Sequence, residues 1–134
     1  MRFSDQRGVG AMEFAVVAPV LLILMAAAHD VATAAAASMR LEAAVRIGAQ
    51  RALAGPGDTD AIRDAIVTAA PGLSTAQVST PALACECAGA GATCGAACPS
   101  GERRFLTLSA RQTLSPLLFR RFGEASGNAV VQVR

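Results

Sequence analysis

The sequence predicts an α+β protein, in which a long N-terminal helix precedes a small domain with one short helix and about three antiparallel strands. Residues 9–28 form an apolar run that contains a single charge, Glu13. The helical pattern continues beyond this run to about residue 54, with Gly48 as the only glycine and no proline in the continuation. After Pro71-Gly72, the apolar residues change from helical spacing to the alternation that is typical of strands.

The apolar run has the length of a membrane-spanning helix, because twenty helical residues extend about 30 Å and so match the hydrocarbon core of a bilayer. Arg2 and Arg7 precede the run. The positive-inside rule then predicts a single crossing of the membrane, with residues 1–8 on the cytoplasmic side and the remainder on the outer face. Pro19 has two interpretations: a kink without a further role, or a weak point that bends when the helix leaves the bilayer for a filament.

The rest of the long helix is predicted to be amphipathic, so that the whole element covers residues 9–54. Glu42 and Arg46 are four residues apart, in the orientation that favours an ion pair on a helix. The sequence Ala54-Gly55-Pro56-Gly57 ends the helix. The apolar residues that recur at helical spacing are Val31, Ala35, Met39, Leu41, Val45 and Ala49.

Residues 58–134 are predicted to form a small domain on the outer side of the membrane. Asp58 is a suitable N-cap for a short helix, which Pro71-Gly72 ends. Three segments read as strands: 73–83 with modest quality, 103–114 with clear alternation, and 129–134 at the end of the chain. The connections are expected to be a Cys-rich loop at 84–101, a helical turn or an extended apolar corner at 116–122, and a turn at 123–128.

The composition argues against nucleic-acid binding and against catalysis. The net charge is only +2, and the arginines are scattered without interleaved aromatic residues, so we expect no nucleic-acid partner. His29 is the only histidine, and His29-Asp30 is expected to be a water-facing boundary of the apolar run. The glycine-rich residues 88–95 lack the Lys-Ser/Thr of a phosphate loop. We therefore expect no enzyme activity, no catalytic residues and no cofactor.

Two arginine pairs, Arg103-Arg104 and Arg120-Arg121, remain to be interpreted. We expect them to be solvated charges on strands or turns. The alternative is an electrostatic docking patch for a partner.

Four cysteines, Cys85, Cys87, Cys94 and Cys98, fall within a short interval. Export of this segment favours two disulfides. A cytosolic location would favour a metal site, but the paired spacing usual for zinc is missing, so we expect no metal. The nested pairing of Cys85 with Cys98 and of Cys87 with Cys94 would suit a hairpin, although three connectivities are open.

Glu13 raises a physical question, because an ionised carboxylate at bilayer depth costs at least a few kcal/mol. It could lie close enough to the headgroups to be solvated, or it could lie in the first helical turn, where the macrodipole favours an anion. It could also pair with a new cation. A cut between Gly8 and Val9 would create an α-ammonium at Val9, four residues before Glu13.

The segment around this carboxylate resembles the processing site of type IV prepilins, in which the chain is cut after a glycine and the fifth residue of the mature form is glutamate. Gly8, Val9, Glu13 and Phe14 occupy those places here. Together with Arg7 and Pro19, they make the segment similar to the N-terminal signature of the TadE-like pseudopilins of the tight-adherence (Flp, type IVc) pilus. The resemblance covers roughly the first fifth of the chain and does not include the Cys-rich loop.

This resemblance implies a single-pass minor pilin of the bacterial inner membrane that is needed for pilus assembly and hence for adhesion. Residues 1–8 would be its cytoplasmic leader, and residues 58–134 its periplasmic domain. Its partners would be the prepilin peptidase, which would cut it between Gly8 and Val9, other pilins or pseudopilins, the assembly platform and the inner membrane. It could also be incorporated in an extracellular pilus. The small residues of the helix would permit the close helix approach that assembly requires.

Two other classes fit parts of the sequence. One is an unprocessed single-pass protein that serves as an interaction domain of an envelope complex. The other is a secreted, disulfide-stapled protein released by signal peptidase, because a basic start, an apolar run and Ala-x-Ala triplets also describe a signal peptide. Glu13 fits poorly in a signal peptide, and the helical pattern continues through every candidate cut.

Overall fold

A computed structural model describes residues 7–55, 57–79 and 81–133 of the chain. It has helix α1 (Arg7–Ala54), helix α2 (Thr59–Ala69), and strands β1 (Ala82–Cys87), β2 (Ala90–Ala92), β3 (Glu102–Thr113) and β4 (Glu124–Val133). The strands form one antiparallel sheet in the order β2-β1-β3-β4. The α+β class, the long helix and the short helix are confirmed, and the sheet has four strands where about three were expected. Of the predicted leader, residues 1–6 lie outside the described residues.

Only the second half of α1 packs against the domain. Its inward stripe is made of Leu41, Ala44, Val45, Gly48 and Ala52, which are buried. The spacing of three and four residues is that of one helical face. The predicted residues Val31 and Met39 lie outside this stripe and are exposed, because the sheet covers only one side of the helix.

One face of the sheet covers this stripe. Leu106, Leu108 and Ala110 of β3 are buried, as their alternation predicts, and the register pairs them with Val131, Ala129 and Gly127 of β4. Paired residues share a face of the sheet, so these six residues form the surface that packs on α1. The opposite face of β4 is exposed at Glu124, Ser126, Asn128, Val130 and Gln132.

Gly127 permits the closest approach of β4 to α1. A Cβ atom at this position would lie 2.6, 2.7 and 2.8 Å from backbone atoms of Leu41 and Glu42. The turn predicted at residues 123–128 is therefore wrong. Here the glycine and the small residues belong to the start of β4, where the helix backbone leaves no room for a side chain.

Helix α2 begins and ends as predicted and closes the core at the distal end of α1. The carboxylate of Asp58 accepts a hydrogen bond from the Ala61 backbone N–H at 3.0 Å, which satisfies one of the free donors of the first turn. Ile62 and Ile66 are fully buried. They pack close to Gly48 of α1, where an added Cβ would collide with the side chain of Ile66.

The strand predicted at residues 73–83 is mostly wrong. Residues Thr75–Gln77 form a short 3-10 helix, in which the Ser74 N–H donates to the Gln77 side chain at 2.8 Å. Val78 forms only an isolated bridge with Ala110, and β1 starts at Ala82. Local capping therefore outweighs the weak alternation of this segment.

The Cys-rich segment 84–101 contains more regular structure than the loop that was expected. β1 continues to Cys87 and pairs with β3, while β2 returns as a short hairpin over Ala90–Ala92. Ala88 and Gly89 turn this hairpin with φ values of 54° and 84°. The pairing with β3 supplies backbone hydrogen bonds that no local pattern in this alanine- and glycine-rich segment reveals.

Candidate functional site

The first half of α1 extends away from the domain and is not covered by it. We call its apolar part, residues 9–28, the apolar rod. By its length and composition this part of the helix is a candidate for crossing a membrane, and almost none of its most apolar stretch is buried in the protein. A buried core helix of a soluble protein would have its apolar side chains covered, and these side chains are not. The large apolar residues exposed on it are Met12, Phe14, Val16, Val17, Val20, Leu21, Leu22, Ile23, Leu24 and Met25.

Glu13 and Phe14 lie near the start of this rod, and both side chains are exposed. Helix α1 already begins at Arg7, and its first turn holds no acidic residue. The interpretation in which the macrodipole of the first turn stabilises Glu13 is therefore wrong for the chain as described. Solvation at the headgroups and pairing with a new α-ammonium remain. Gly8 and Val9 lie in the first turn, and the helix continues through Pro19.

Asp30 lies two residues beyond the apolar run, and it is the one charged residue that is buried among the residues that the structure describes. Its residue surface is 1% exposed, so the prediction of a water-facing boundary is wrong for Asp30, although His29 beside it is exposed. The carboxylate accepts three backbone hydrogen bonds, from the N–H groups of Leu117 at 2.7 Å, Leu118 at 2.8 Å and Phe119 at 3.0 Å. We call this arrangement the Asp30 clasp.

The clasp explains how a carboxylate tolerates burial at this place. Desolvation raises the pKa of Asp30, but the three N–H donors, aided by the charge of His29, outweigh it and hold the pKa below its ordinary value. Successive N–H groups that converge on one anion form a concave site of fixed partial positive charge. The carboxylate therefore stays ionised and ties α1 to a segment 87 residues later in the chain.

The segment held by the clasp, for which a helical turn or an extended apolar corner was expected at residues 116–122, contains both. Residues 117–119 lead into a 3-10 turn at Arg120–Phe122, which the Gly123 N–H closes on the carbonyl of Arg120 at 3.0 Å. The Leu114 N–H donates to the carbonyl of Gly123 at 2.8 Å and joins the ends of β3 and β4. The clasp uses only the backbone of residues 117–119, so the side chains of this segment point away from it and are exposed.

The sequence contained a signal for the clasp that periodicity alone could have shown. Asp30 lies eleven residues before Leu41, which is three helical turns, and so belongs to the inward stripe together with Ala37 and Ala44. A charge in register with a buried stripe requires a partner. No sequence pattern identifies that partner, because the donors are backbone amides far along the chain.

The four cysteines form two disulfides at the end of the sheet away from the apolar rod. The bonds join Cys85 to Cys94 and Cys87 to Cys98. The nested pairing is therefore not the one adopted. The chain reverses at Ala88-Gly89, and β2 then runs back along β1, where Ala92 pairs with Cys85. Cys94 follows two residues later and therefore lies beside Cys85, while Cys98 lies further along the loop.

Glu102 supports the loop between these disulfides. Its carboxylate accepts the Gly95 N–H at 3.0 Å and pairs with the Arg104 guanidinium at 3.2 Å, and these contacts lower its pKa against a smaller effect of desolvation. The sulfur atoms of Cys85 and Cys94 lie near this carboxylate. Both sulfurs are oxidised in a disulfide and so lack the thiolate that binds zinc.

Comparison with known proteins gives one match, and it lies on the helix. Residues 8–50 match the family described as TadE-like protein, which confirms over this range the resemblance stated from the sequence. The match includes Glu13, Phe14 and Asp30 and ends four residues before the end of α1. The short helix and the sheet lie outside it. No curated protein and no solved structure matches the chain.

Proposed function

We propose that this chain, whose residues 8–50 are TadE-like, is a membrane-anchored minor pilin of the tight-adherence pilus. The observation that carries the proposal is the uncovered apolar half of α1, joined without interruption to a folded domain. The helix would hold the chain in the inner membrane before assembly and would pack against other pilins, through its small residues, afterwards. The chain would be a substrate of the prepilin peptidase and not an enzyme.

The two disulfides support a periplasmic position of the domain. Disulfides persist in oxidising compartments such as the periplasm, and both lie in the part of the chain that follows the rod. The N-terminus would then be cytoplasmic. The same structure weighs against one form released by signal peptidase, because a cut after Ala34 would remove the carboxylate of the clasp, whereas a cut after Ala28 would keep it.

The proposed cut lies between Gly8 and Val9. After this cut the α-ammonium of Val9 would lie one helical turn before Glu13, so the two charges could neutralise each other within one chain or between packed neighbours. Phe14 would be the sixth residue of the mature chain. This pairing would remove most of the cost of keeping Glu13 in the bilayer.

N-terminal sequencing of the protein purified from its own membrane tests the cut. We expect the mature chain to start at Val9. A start at Met1 would instead support an uncut envelope protein, and a start at or beyond His29 would support secretion. Gly8→Val should block the cut, while Gly10→Val is the matched control, because Gly10 lies in the same helix with nothing near its missing side chain.

The role of Glu13 in assembly is tested separately. Glu13→Gln removes the charge at nearly constant volume, and we expect the mature chain to accumulate in the membrane while pilus production falls. Glu42→Gln is the control, because Glu42 is an exposed acid of the same helix and lies 3.9 Å from Arg46 in a surface pair. Equal piliation of the two variants would contradict the proposed pairing.

A further inference from the structure

We propose that Leu117, Leu118, Phe119 and the two arginines after them form a second membrane contact, which lies on the periplasmic surface of the bilayer. We call these five residues the interfacial loop. The inference rests on the proposed membrane insertion of α1 and adds to it a contact of the folded domain with lipid. Its partner is a bilayer that contains anionic headgroups.

The Asp30 clasp places the interfacial loop at the level of the headgroups. Asp30 lies two residues beyond the apolar run, about 3 Å along the helix axis. Side chains on a helix lean towards its N-terminus, so the carboxylate points back towards the end of the apolar run. The three amides bonded to it therefore hold residues 117–119 where the rod would emerge from hydrocarbon.

The exposed side chains of the loop have the chemistry of an interfacial anchor. Leu117, Leu118 and Phe119 are consecutive, and each keeps 46% or more of its surface exposed although its backbone is fixed. Single exposed apolar residues are normal on protein surfaces, but three in succession beside an apolar helix form a continuous patch. Phe119 also packs edge-on against Phe122, at 6.3 Å between ring centroids, which orders the patch.

The charges of Arg120 and Arg121 favour lipid over a second copy of the chain as the partner of the interfacial loop. Both are exposed, and the four ion pairs among the described residues use other arginines. A symmetric contact between two copies through this loop would bring two arginines from each copy into one interface, where like charges repel. Phosphate headgroups complement them instead, and a basic pair beside apolar side chains is typical of surfaces that bind anionic membranes.

The absence of tryptophan and tyrosine from the chain permits a direct test. Three single-tryptophan variants of the full chain are compared in nanodiscs that hold one copy each: Leu117→Trp in the loop, Leu22→Trp in the rod and Val130→Trp on β4. All three residues are 66% exposed. Val130 lies six residues beyond the start of β4, about 20 Å from the loop end of the strand.

The discs contain phosphatidylcholine and phosphatidylglycerol with bromine atoms on the acyl chains, which quench nearby tryptophan. We expect strong quenching of Trp at 22, clear quenching of Trp at 117 by bromines close to the headgroups, and none at 130. In the Leu117→Trp background, Arg120→Gln with Arg121→Gln should reduce quenching at least twofold. Leu118→Trp replaces Leu117→Trp if the latter loses the clasp, judged by hydrogen exchange at the amides of 117–119.

The outcomes separate this inference from the proposed anchor. Quenching at 22 without quenching at 117 would overturn the interfacial loop and leave the membrane helix intact. Absence of quenching at 22 would contradict the anchor itself. A blue-shifted Trp at 117 that lipid bromines do not quench would show burial against protein, and that result also overturns the lipid contact.

Discussion

The tightest contact between β4 and α1 provides the sharpest test of the fold. Replacement of Gly127 by alanine would place a Cβ 2.6 Å from the backbone carbon of Leu41, while an ordinary contact needs at least 3.4 Å. The strand and helix would therefore have to separate by about 0.8 Å. Because the clashing atoms belong to a helix backbone, no side-chain rotation can relieve the overlap.

The expected loss of stability follows from two opposing effects. Overpacking of a core typically costs about 1–3 kcal/mol, and a clash with backbone belongs at the upper end of this range. Alanine in a strand is otherwise favoured over glycine by about 0.5–1 kcal/mol. The net loss in free energy of unfolding is then about 2 kcal/mol. Where reclosing is faster than exchange, this corresponds to about 30-fold faster exchange of the sheet amides that exchange through unfolding.

The assay is hydrogen–deuterium exchange, read by mass spectrometry, of peptides from β3 and β4 in the full chain in detergent micelles. Gly91→Ala is the matched control, because Gly91 also lies in a strand but has nothing within 4 Å of an added Cβ. We expect faster exchange only in Gly127→Ala. If both variants exchange like the parent protein, β4 does not pack on α1 as described.

Three further perturbations have defined outcomes. Asp30→Ala should remove the protection from exchange of the amides of residues 117–119, and unchanged protection would show that the clasp is not their partner. The pKa of Glu102 is lower in the folded than in the unfolded chain. Its contribution to the stability of the folded state is therefore fully present above the unfolded pKa of about 4, and it is lost as the pH falls through the lower folded pKa. The protection factor of the Gly95 amide, taken against the intrinsic exchange rate at the same pH, should therefore fall in acid. Glu102→Gln should abolish that pH dependence of the protection factor; a dependence that persists in the variant would assign it to another group. Reduction of both disulfides should lower the free energy of unfolding, and opening the loop that one of them closes accounts for about 3 kcal/mol of that loss. A denaturation midpoint that does not change on reduction would contradict their stabilising role.

The helices were predictable because their signals are local. The length of α1 follows from alanine content, the absence of a break and the Gly-Pro-Gly stop, and α2 follows from Asp58 and its apolar face. The alternation of β3 was equally clear. The segments that were mispredicted, 73–83, 84–101 and 123–128, are those in which small or polar residues carry little intrinsic preference and pairing with a distant strand decides the conformation.

The sequence by itself determined the apolar rod, its charge near the N-terminus and the match of residues 8–50 to the TadE-like family, because these depend on residue types that are adjacent in the chain. Only the tertiary structure decided that Asp30 is buried, that three amides from residues 117–119 stabilise it, and that the cysteines pair as 85–94 and 87–98. The physical reason is that a buried charge or a thiol takes its partner by proximity in space. For Asp30 that proximity arises when β3 and β4 have packed along the helix, and for the cysteines it arises when β2 has folded back on β1.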